Sequence, residues 1–465
     1  MPINSFLLPG AKFIPGYEVA NSCRFNKGSS DSLTRTPAGA GNRKTFTFST
    51  WFKKGDFGGL EEALLYSEPD SNNYTAIRID GSDKIRVLAV VSGGTTNGFD
   101  KKTTRVFRDP SAWYHIVVAV DTTQATDTNR VKIYVNGTQE TVFDTNTFGA
   151  AQSFDTNINA TSQQEIGMED SVSFFGGYLA ETVLIDGSQL TPTSFGEFDE
   201  DSPTIWKPKN VSGLTFGTNG FYLDYEDSSN LGNDIAGNGD WTENNLAATD
   251  QATDTPTNNF ATMNPLDNYY ESATFSEGNC KIVGSGSNYS AKTCTFGVSK
   301  GKWYYEAKCA AVSAASIEAM LGLIETIATS TTFFTGTSAN SVGFYKGGSY
   351  YKGGSSSAYG SVWGANDILS IAFDLDNNAI YIAINGTWQN SADPAAGSGG
   401  ISLGTPSSGF YYPSTTEGTF EMNFGGCSGF TVSSGNADAD GYGNFEYAVP
   451  SGYFALCTKN LAEYG

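Results

Sequence analysis

The chain has 465 residues, 27 Lys plus Arg against 49 Asp plus Glu, a formal net charge of −22, 54 glycines and one histidine. At roughly 100–200 residues per domain it holds two or three domains, and its acidity repels a phosphate backbone or an anionic membrane surface, which argues against nucleic acid as a partner. With His115 alone, most zinc sites lack ligands. The cysteines Cys23, Cys280, Cys294, Cys309, Cys427 and Cys457 form no C-x-x-C pair, so free buried thiols are expected. No run nears the roughly 18 apolar residues of a membrane span. The opening MPINSFLLPGAKF lacks a basic stretch followed by a long apolar core, so neither a signal peptide nor membrane insertion is expected.

Taken in chain order, the segments alternate with period two, which predicts an all-β chain. TFTFSTWF places Phe46, Phe48 and Phe52 on one face. WYHIVVAV is apolar on both faces, as a central strand between layers should be. RVKIYV groups Val131, Ile133 and Val135; KWYYEAKC sets Trp303, Tyr305 and Ala307 against Tyr304, Glu306 and Lys308; AIYIAI groups Ile380, Ile382 and Ile384. The segment AAVSAASIEAMLGLIETIA reads either as a helix or, given Gly322 and its β-branched end, as a strand from Met320 to Ile324.

One pattern occurs twice. A strand ending at Asp121, a polar turn and VKIYVNGT closing on Asn136-Gly137 are matched by ILSIAFDLD ending at Asp376, a shorter turn and AIYIAINGT closing on Asn385-Gly386. Asn-Gly favours the positive φ angles of a tight hairpin, so two tandem antiparallel β-sandwiches are expected, at 1–205 and 266–465. The connector 206–265 is rich in Asn, Asp, Gly and Thr but carries Phe216, Phe221, Tyr222, Leu223, Tyr225, Trp241 and Phe260, too many large apolar side chains for a free linker. It predicts an ordered strap lying on one or both sandwiches.

TFTFSTWFKKG, DPSAWYHIVVAVD, KIYVNG and FFGGYLAETVLIDG, in that order, make the first 205 residues resemble a laminin-G-like jelly roll of the concanavalin A-like type. GKWYYEA, SVGFYKGG, DILSIAFDLDNNAIYIAINGTW, FYYPSTT and FEMNFGG make residues from about 270 to 462 resemble a SPRY domain; GANDIL departs from the tighter Gly-Asp turn usual there. With PSGYFALCTKNLAEYG at the end, the pairing resembles virion appendage proteins of tailed bacteriophages, especially marine ones. That resemblance implies a tail or head fibre, receptor-binding or decoration protein, assembled in the host cytoplasm and released by lysis.

Concanavalin-type relatives include glycoside hydrolases with a Glu-x-Asp-x-Glu strand. The nearest match, Glu165-Ile166-Gly167-Met168-Glu169, holds glycine at the Asp position, so the carboxylate set is incomplete. His115 sits inside an apolar strand, where a catalytic base would hardly reach a substrate. Asn230, Asn233, Asp234, Asn238 and Asp240 crowd oxygens in a Gly-rich loop but miss the regular calcium spacing, so Asx turns are the better reading. Aromatic rings in polar loops suit sugar stacking or protein contact, and Tyr350, Tyr351, Tyr359, Trp388, Tyr411 and Tyr412 are the candidates.

The resulting expectation is a non-enzymatic virion protein, without metal or cofactor, that recognises a host-surface glycan or receptor and contacts other virion proteins. A homo-oligomer, by family analogy a trimer, would multiply weak sites. The alternatives are a structural decoration protein and a polysaccharide-degrading enzyme.

Overall fold

The computed structural model describes residues 16–149, 151–270, 272–286, 289–312 and 319–465. Met1–Phe13, read above for a leader, and the middle of the ambiguous segment lie outside the described residues. The fold is all-β apart from short turns of helix and the closing helix Thr458–Tyr464. The ambiguous segment ends as the strand Met320–Ile324, inside a sheet. No helix among the described residues is long and apolar enough to cross a membrane.

The first sandwich stacks two eight-stranded sheets. One runs Thr138–Gln139, Val131–Val135, Trp113–Asp121, Thr45–Lys54, Gly177–Asp186, Ser22–Phe25 and Gln251–Ala252, with Phe221–Leu223 also paired to Gly177–Asp186. The other runs Phe143–Phe148, Gly94–Thr103, Ile85–Val91, Asn73–Ile79, Glu62–Asp70, Gln164–Ile166, Ser32–Arg35 and Thr242–Asn244. Phe46, Phe48, Phe52, Val131, Ile133 and Val135 face the shared core, as the alternation requires.

The second sandwich stacks a nine-stranded sheet, centred on Lys302–Ala311, Ile368–Asp374 and Ala379–Ile384, on a six-stranded one centred on Tyr412–Thr416, Met320–Ile324 and Val342–Tyr345. Trp303, Tyr305, Ala307, Ile380 and Ile382 fill its core.

The two Asn-Gly hairpins match in detail. Asn136 and Gly137 take φ of 45° and 78°, Asn385 and Gly386 47° and 76°. Each Asn Oδ1 accepts a backbone N–H near the start of the neighbouring strand, His115 at 2.8 Å and Ile368 at 2.9 Å. A Cβ on either glycine would strike an aromatic ring: Trp206 at 2.4 Å over Gly137, Tyr447 at 2.7 Å over Gly386. The acidic residue that closes the preceding strand is Asp121 in the first hairpin but Asp374, not Asp376, in the second. Each uses a carboxylate oxygen to accept N–H groups of the turn that follows.

The connector is built into both cores. Phe221, Tyr225, Leu231 and Trp241 join the first core, while Phe260 packs with Tyr304 and Phe445 in the second sandwich. Val211 and Tyr222, together with Phe195, cover the outward side of Val117 and Val183. The sheet that holds them is therefore dry on both faces, which explains the two-sided apolar strand Trp113–Asp121.

Trp206 completes that cover. Its Nε1 donates to His115 Nδ1 at 2.9 Å, which makes Nδ1 the acceptor and leaves the ring proton on Nε2, 2.8 Å from Ser49 Oγ. The imidazole lies between Trp51 and Trp206, at ring separations of 4.7 and 6.0 Å. Burial pushes its pKa down to about 3.

Two buried cations tie the sandwiches together. Lys53 Nζ, from the first, donates to Asp254 Oδ2 at 2.7 Å, Asn259 Oδ1 at 2.8 Å and the Phe260 carbonyl at 2.9 Å. Arg24 donates to Asp250 Oδ1 at 2.8 Å and the Ser428 carbonyl at 2.9 Å, and pairs with Glu277 at 3.1 Å.

Because the folded His115 pKa lies below the unfolded value, the fold binds fewer protons, so stability is complete above pH 6.5 and declines as pH falls from 6.5 toward 3. The decline attributable to this ring is about 2 kcal/mol by pH 5, and His115→Gln should remove it when urea midpoints at pH 7 and pH 5 are compared. Asp254→Ala, which strands the Lys53 charge, should cost about 3–5 kcal/mol in urea unfolding, and Lys53→Met combined with Asp254→Leu should cost less.

Candidate functional site

The six candidate aromatics do not share one surface. Tyr350 and Tyr351 alternate on Ser349–Lys352: Tyr350 packs on the core and meets Tyr359 at 6.1 Å, while Tyr351 points outward to Phe334 at 5.5 Å and Tyr345 at 6.0 Å. Tyr359 is buried, its hydroxyl donating to the Gly399 carbonyl at 3.2 Å. Tyr411 is 1% exposed, with its hydroxyl 3.0 Å from the carbonyls of Asn340 and Gly404. Neither ring offers a face to a ligand. Tyr412 is half-buried against Ile324 and Phe333 on the outer side of the six-stranded sheet. Trp388 is half-buried against the Tyr304, Tyr381 and Tyr453 cluster on the outer side of the opposite, nine-stranded sheet. What remains on one surface is Tyr351 with Phe334, Tyr345 and Tyr289, a chain of edge-on and tilted rings.

In the Gly-rich loop 230–240, where Asx turns are expected, the oxygens serve the protein's own groups. Asp234 Oδ1 accepts from the N–H groups of Tyr222 and Ala236, Asp234 Oδ2 from Asn238 N–H and Arg35, and Asp240 Oδ1 from Asp234 N–H. These are Asx-type turns.

A better-built site lies on the outer face of the second sheet of the first sandwich. Cross-strand register aligns Glu165, Tyr66, Ala76, Leu88 and Asp100 in one row over five strands. The next row on that face is Ala63, Arg78, Arg86 and Lys102. Because side chains alternate, Leu65, Ile77 and Val87 fill the core, while Ala63, Tyr66, Ala76, Leu88 and Val90 form an apolar floor outside it. Tyr66, 3% exposed, is part of that floor, and the half-buried Tyr74 ring packs on it at 5.9 Å.

Gly167 shapes the site's acidic side. It has φ of 77°, and a Cβ there would meet the Phe25 ring at 2.6 Å, so the backbone breaks between Gln164–Ile166 and the small hairpin Met168–Glu169 with Ser173–Phe174. A hydrolase-type Asp has no room at 167, and Glu165 and Glu169 belong to different strand pairs. The hairpin nonetheless returns Glu169 to the sheet, where its Oε1 pairs with Arg78 Nη1. Glu61 lies 3.6 Å from the other guanidinium nitrogen.

Two buried atoms in this pair have no hydrogen-bond partner among the described residues: Arg78 Nε, a donor, and Glu169 Oε2, an acceptor. Arg78 is 6% exposed, so both atoms face desolvation without compensation. Burial raises the Glu165 pKa to about 7, against hydrogen bonds from Asp170 N–H and Gln163; burial also raises Glu169, against the pull of Arg78. Opposite, Arg86 grips Asp100 with two bonds of 2.9 and 2.6 Å. The face thus combines the half-buried Tyr74 ring, a buried apolar floor and two buried polar atoms without a partner among the described residues. Glu165 and Glu169 are visible in the sequence as an incomplete motif; Tyr66, Tyr74 and Arg78 carry no linear signal.

A family model described as the concanavalin A-like lectin/glucanases superfamily matches residues 27–193, the part of the chain that builds this face. Similar solved structures include a candidate carbohydrate binding protein from Bacteroides ovatus, at 17% identity and a TM-score of 0.33, with 49% of this chain and 59% of that chain covered. A heptameric SAP-like pentraxin from Limulus polyphemus matches at 14% identity and a TM-score of 0.27, covering 38% of this chain and 80% of that one. The SPRY domain of human HERC1 matches at 11% and 0.24, covering 30% and 86%. No curated protein matches the chain. The first sandwich is a concanavalin A-like domain.

Since the Glu165 carboxyl keeps its proton up to about pH 7 in the fold but ionises near 4.5 when unfolded, it opposes folding increasingly as pH rises through that window. Glu165→Gln should accordingly gain stability relative to the wild-type chain between pH 5 and pH 8, read as a growing difference in urea midpoint.

Proposed function

We propose that this chain is a non-enzymatic recognition protein that binds carbohydrate on the outer face of the second sheet of its first sandwich. The observation that carries this reading is the half-buried Tyr74 ring on an apolar floor, on the strand that also holds Arg78, the partner of Glu169. A sugar offers what that surface lacks: hydroxyls that both donate and accept, and an apolar C–H face for a ring. The groups stand on paired strands, not on long loops, so little ordering entropy opposes binding.

The order of the sequence motifs supports a place for the protein on a tailed-phage particle, as a tail or head fibre whose ligand is a host-surface glycan or receptor. Neighbouring virion proteins are the second class of partner in this reading, and the outward rings of the second sandwich, Tyr351 and Tyr345 with Phe334, suit such a protein contact. Several copies, as in a trimer, would act together.

Glycan-array screening followed by titration tests the proposal. Arg78→Met should weaken the best ligand at least about tenfold, near 1.4 kcal/mol, while Glu165→Gln at pH 6 should bind within about threefold of the wild-type protein. Reducing ends released by the wild-type protein and lost in Glu165→Gln would replace recognition with hydrolysis.

A further inference from the structure

Cys280 and Cys427 are 147 positions apart in sequence and adjacent in space. The Cys280 thiol donates to the Cys427 carbonyl at 3.4 Å, and the two residues share one buried cluster. The Tyr178 hydroxyl sits 3.6 Å from Cys280 Sγ, and Arg24 Nη1 sits 3.3 Å from Cys427 Sγ. Both of these neighbours come from the first sandwich, so the thiol pair is at the junction. The neighbouring Cys280 thiol and the nearby guanidinium draw Cys427 down to about 7 in spite of burial, whereas Cys280 is raised and keeps its proton.

The remaining cysteines differ. Burial pushes Cys294 up to about 12 and Cys309 and Cys457 up to about 11, and raises Cys23. Cys427 is 8% exposed, and a cavity of about 380 Å³, lined by Arg24, Glu277, Ser428 and Gly429, opens beside it. This is room for a small oxidant.

We propose that Cys280 and Cys427 form a reactive dithiol which hydrogen peroxide closes into a disulfide. The Cys427 thiolate attacks one peroxide oxygen; an S–O bond forms, the O–O bond breaks, and hydroxide leaves. That hydroxide takes the Cys280 proton, and the Cys280 sulfur attacks the Cys427 sulfur, forming the S–S bond and breaking the S–O bond. The second hydroxide collects a proton from solvent. Overall, two thiols and one peroxide give one disulfide and two waters: both sulfurs are oxidised and both peroxide oxygens reduced. The product ties the start of the strand Lys281–Val283 to the loop after Thr419–Asn423 and closes a long loop, which makes the second sandwich harder to unfold.

The full-length protein, purified reduced and exposed to hydrogen peroxide under native conditions, should lose two thiols per chain and the mass of two hydrogens. Peptide mapping should recover Cys280 linked to Cys427, and the melting temperature should rise. In Cys280→Ser, a dimedone adduct should appear on Cys427 instead. Retention of both thiols under peroxide that oxidises free cysteine, earlier reaction at Cys23, Cys294, Cys309 or Cys457, or sulfinic acid at Cys427 without the crosslink would each overturn the proposal.

Discussion

The arrangement of the whole chain rests on two cations that have been taken out of water. Lys53 and Arg24 leave the first sandwich and end among acceptors supplied by the connector and the second half: Asp254, Asn259 and Phe260 for one, Asp250, Glu277 and Ser428 for the other. A buried charge is tolerated only when its partners are complete. Since those partners are more than 200 positions away in sequence, Lys53 is not satisfied until the connector has docked, nor Arg24 until the second sandwich has docked as well. The junction is therefore specific in geometry. Trp113 reinforces this by donating its indole N–H to the remaining Asp254 oxygen at 3.0 Å.

The same economy appears in the two hairpins. A glycine at the second turn position is required first by its positive φ, and it then leaves a bare patch of backbone on which a distant ring can lie. Trp206 takes that place in the first sandwich and is held by the only imidazole in the chain. Tyr447 takes it in the second, held through buried Glu306, whose carboxylate accepts the N–H groups of Glu446 and Tyr447 at 2.8 Å. Each sandwich thus uses a turn, a roofing ring and one buried polar side chain to fix a segment that arrives later in the chain.

What the sequence conveys, and what it hides, follows from the same physics. Alternation names the core faces, because Phe46, Phe48 and Phe52, or Ile380 and Ile382, must all point one way along a pleated strand. The Asn-Gly pairs announce their hairpins because few other dipeptides accept two positive φ angles. Adjacent aromatics mislead for the converse reason: Tyr350 and Tyr351 are neighbours in sequence and opposite in direction, and Tyr411 is core where Tyr412 is edge. The outer-face site is assembled by register from strands that begin at Glu62, Asn73, Ile85 and Gln164, and nothing local in those segments shows that Tyr66 will stand opposite Glu165. Position 167 shows the limit most plainly. The residue reads as a missing catalytic Asp, yet its cause is the Phe25 ring beneath it.

Coverage explains why the two sheets of the first sandwich differ on their outer faces. The connector and Phe195 dry the outer side of the first sheet, so that face is spent on stability, while the second sheet keeps a polar outer side beyond a small hairpin at its edge. On this side a strongly acidic chain concentrates arginine and lysine, and pairs them: Arg78 with Glu169, Arg86 with Asp100, Lys102 with Asp80. The face is therefore locally balanced in charge, whereas the molecule around it carries −22. An anionic polymer approaching such a surface meets the repulsion of the whole protein before it reaches the guanidinium groups, and within a Debye length of roughly 8 Å finds them already occupied by carboxylates. An uncharged ligand meets neither obstacle. The electrostatics of the chain thus disfavour an anionic ligand at this face.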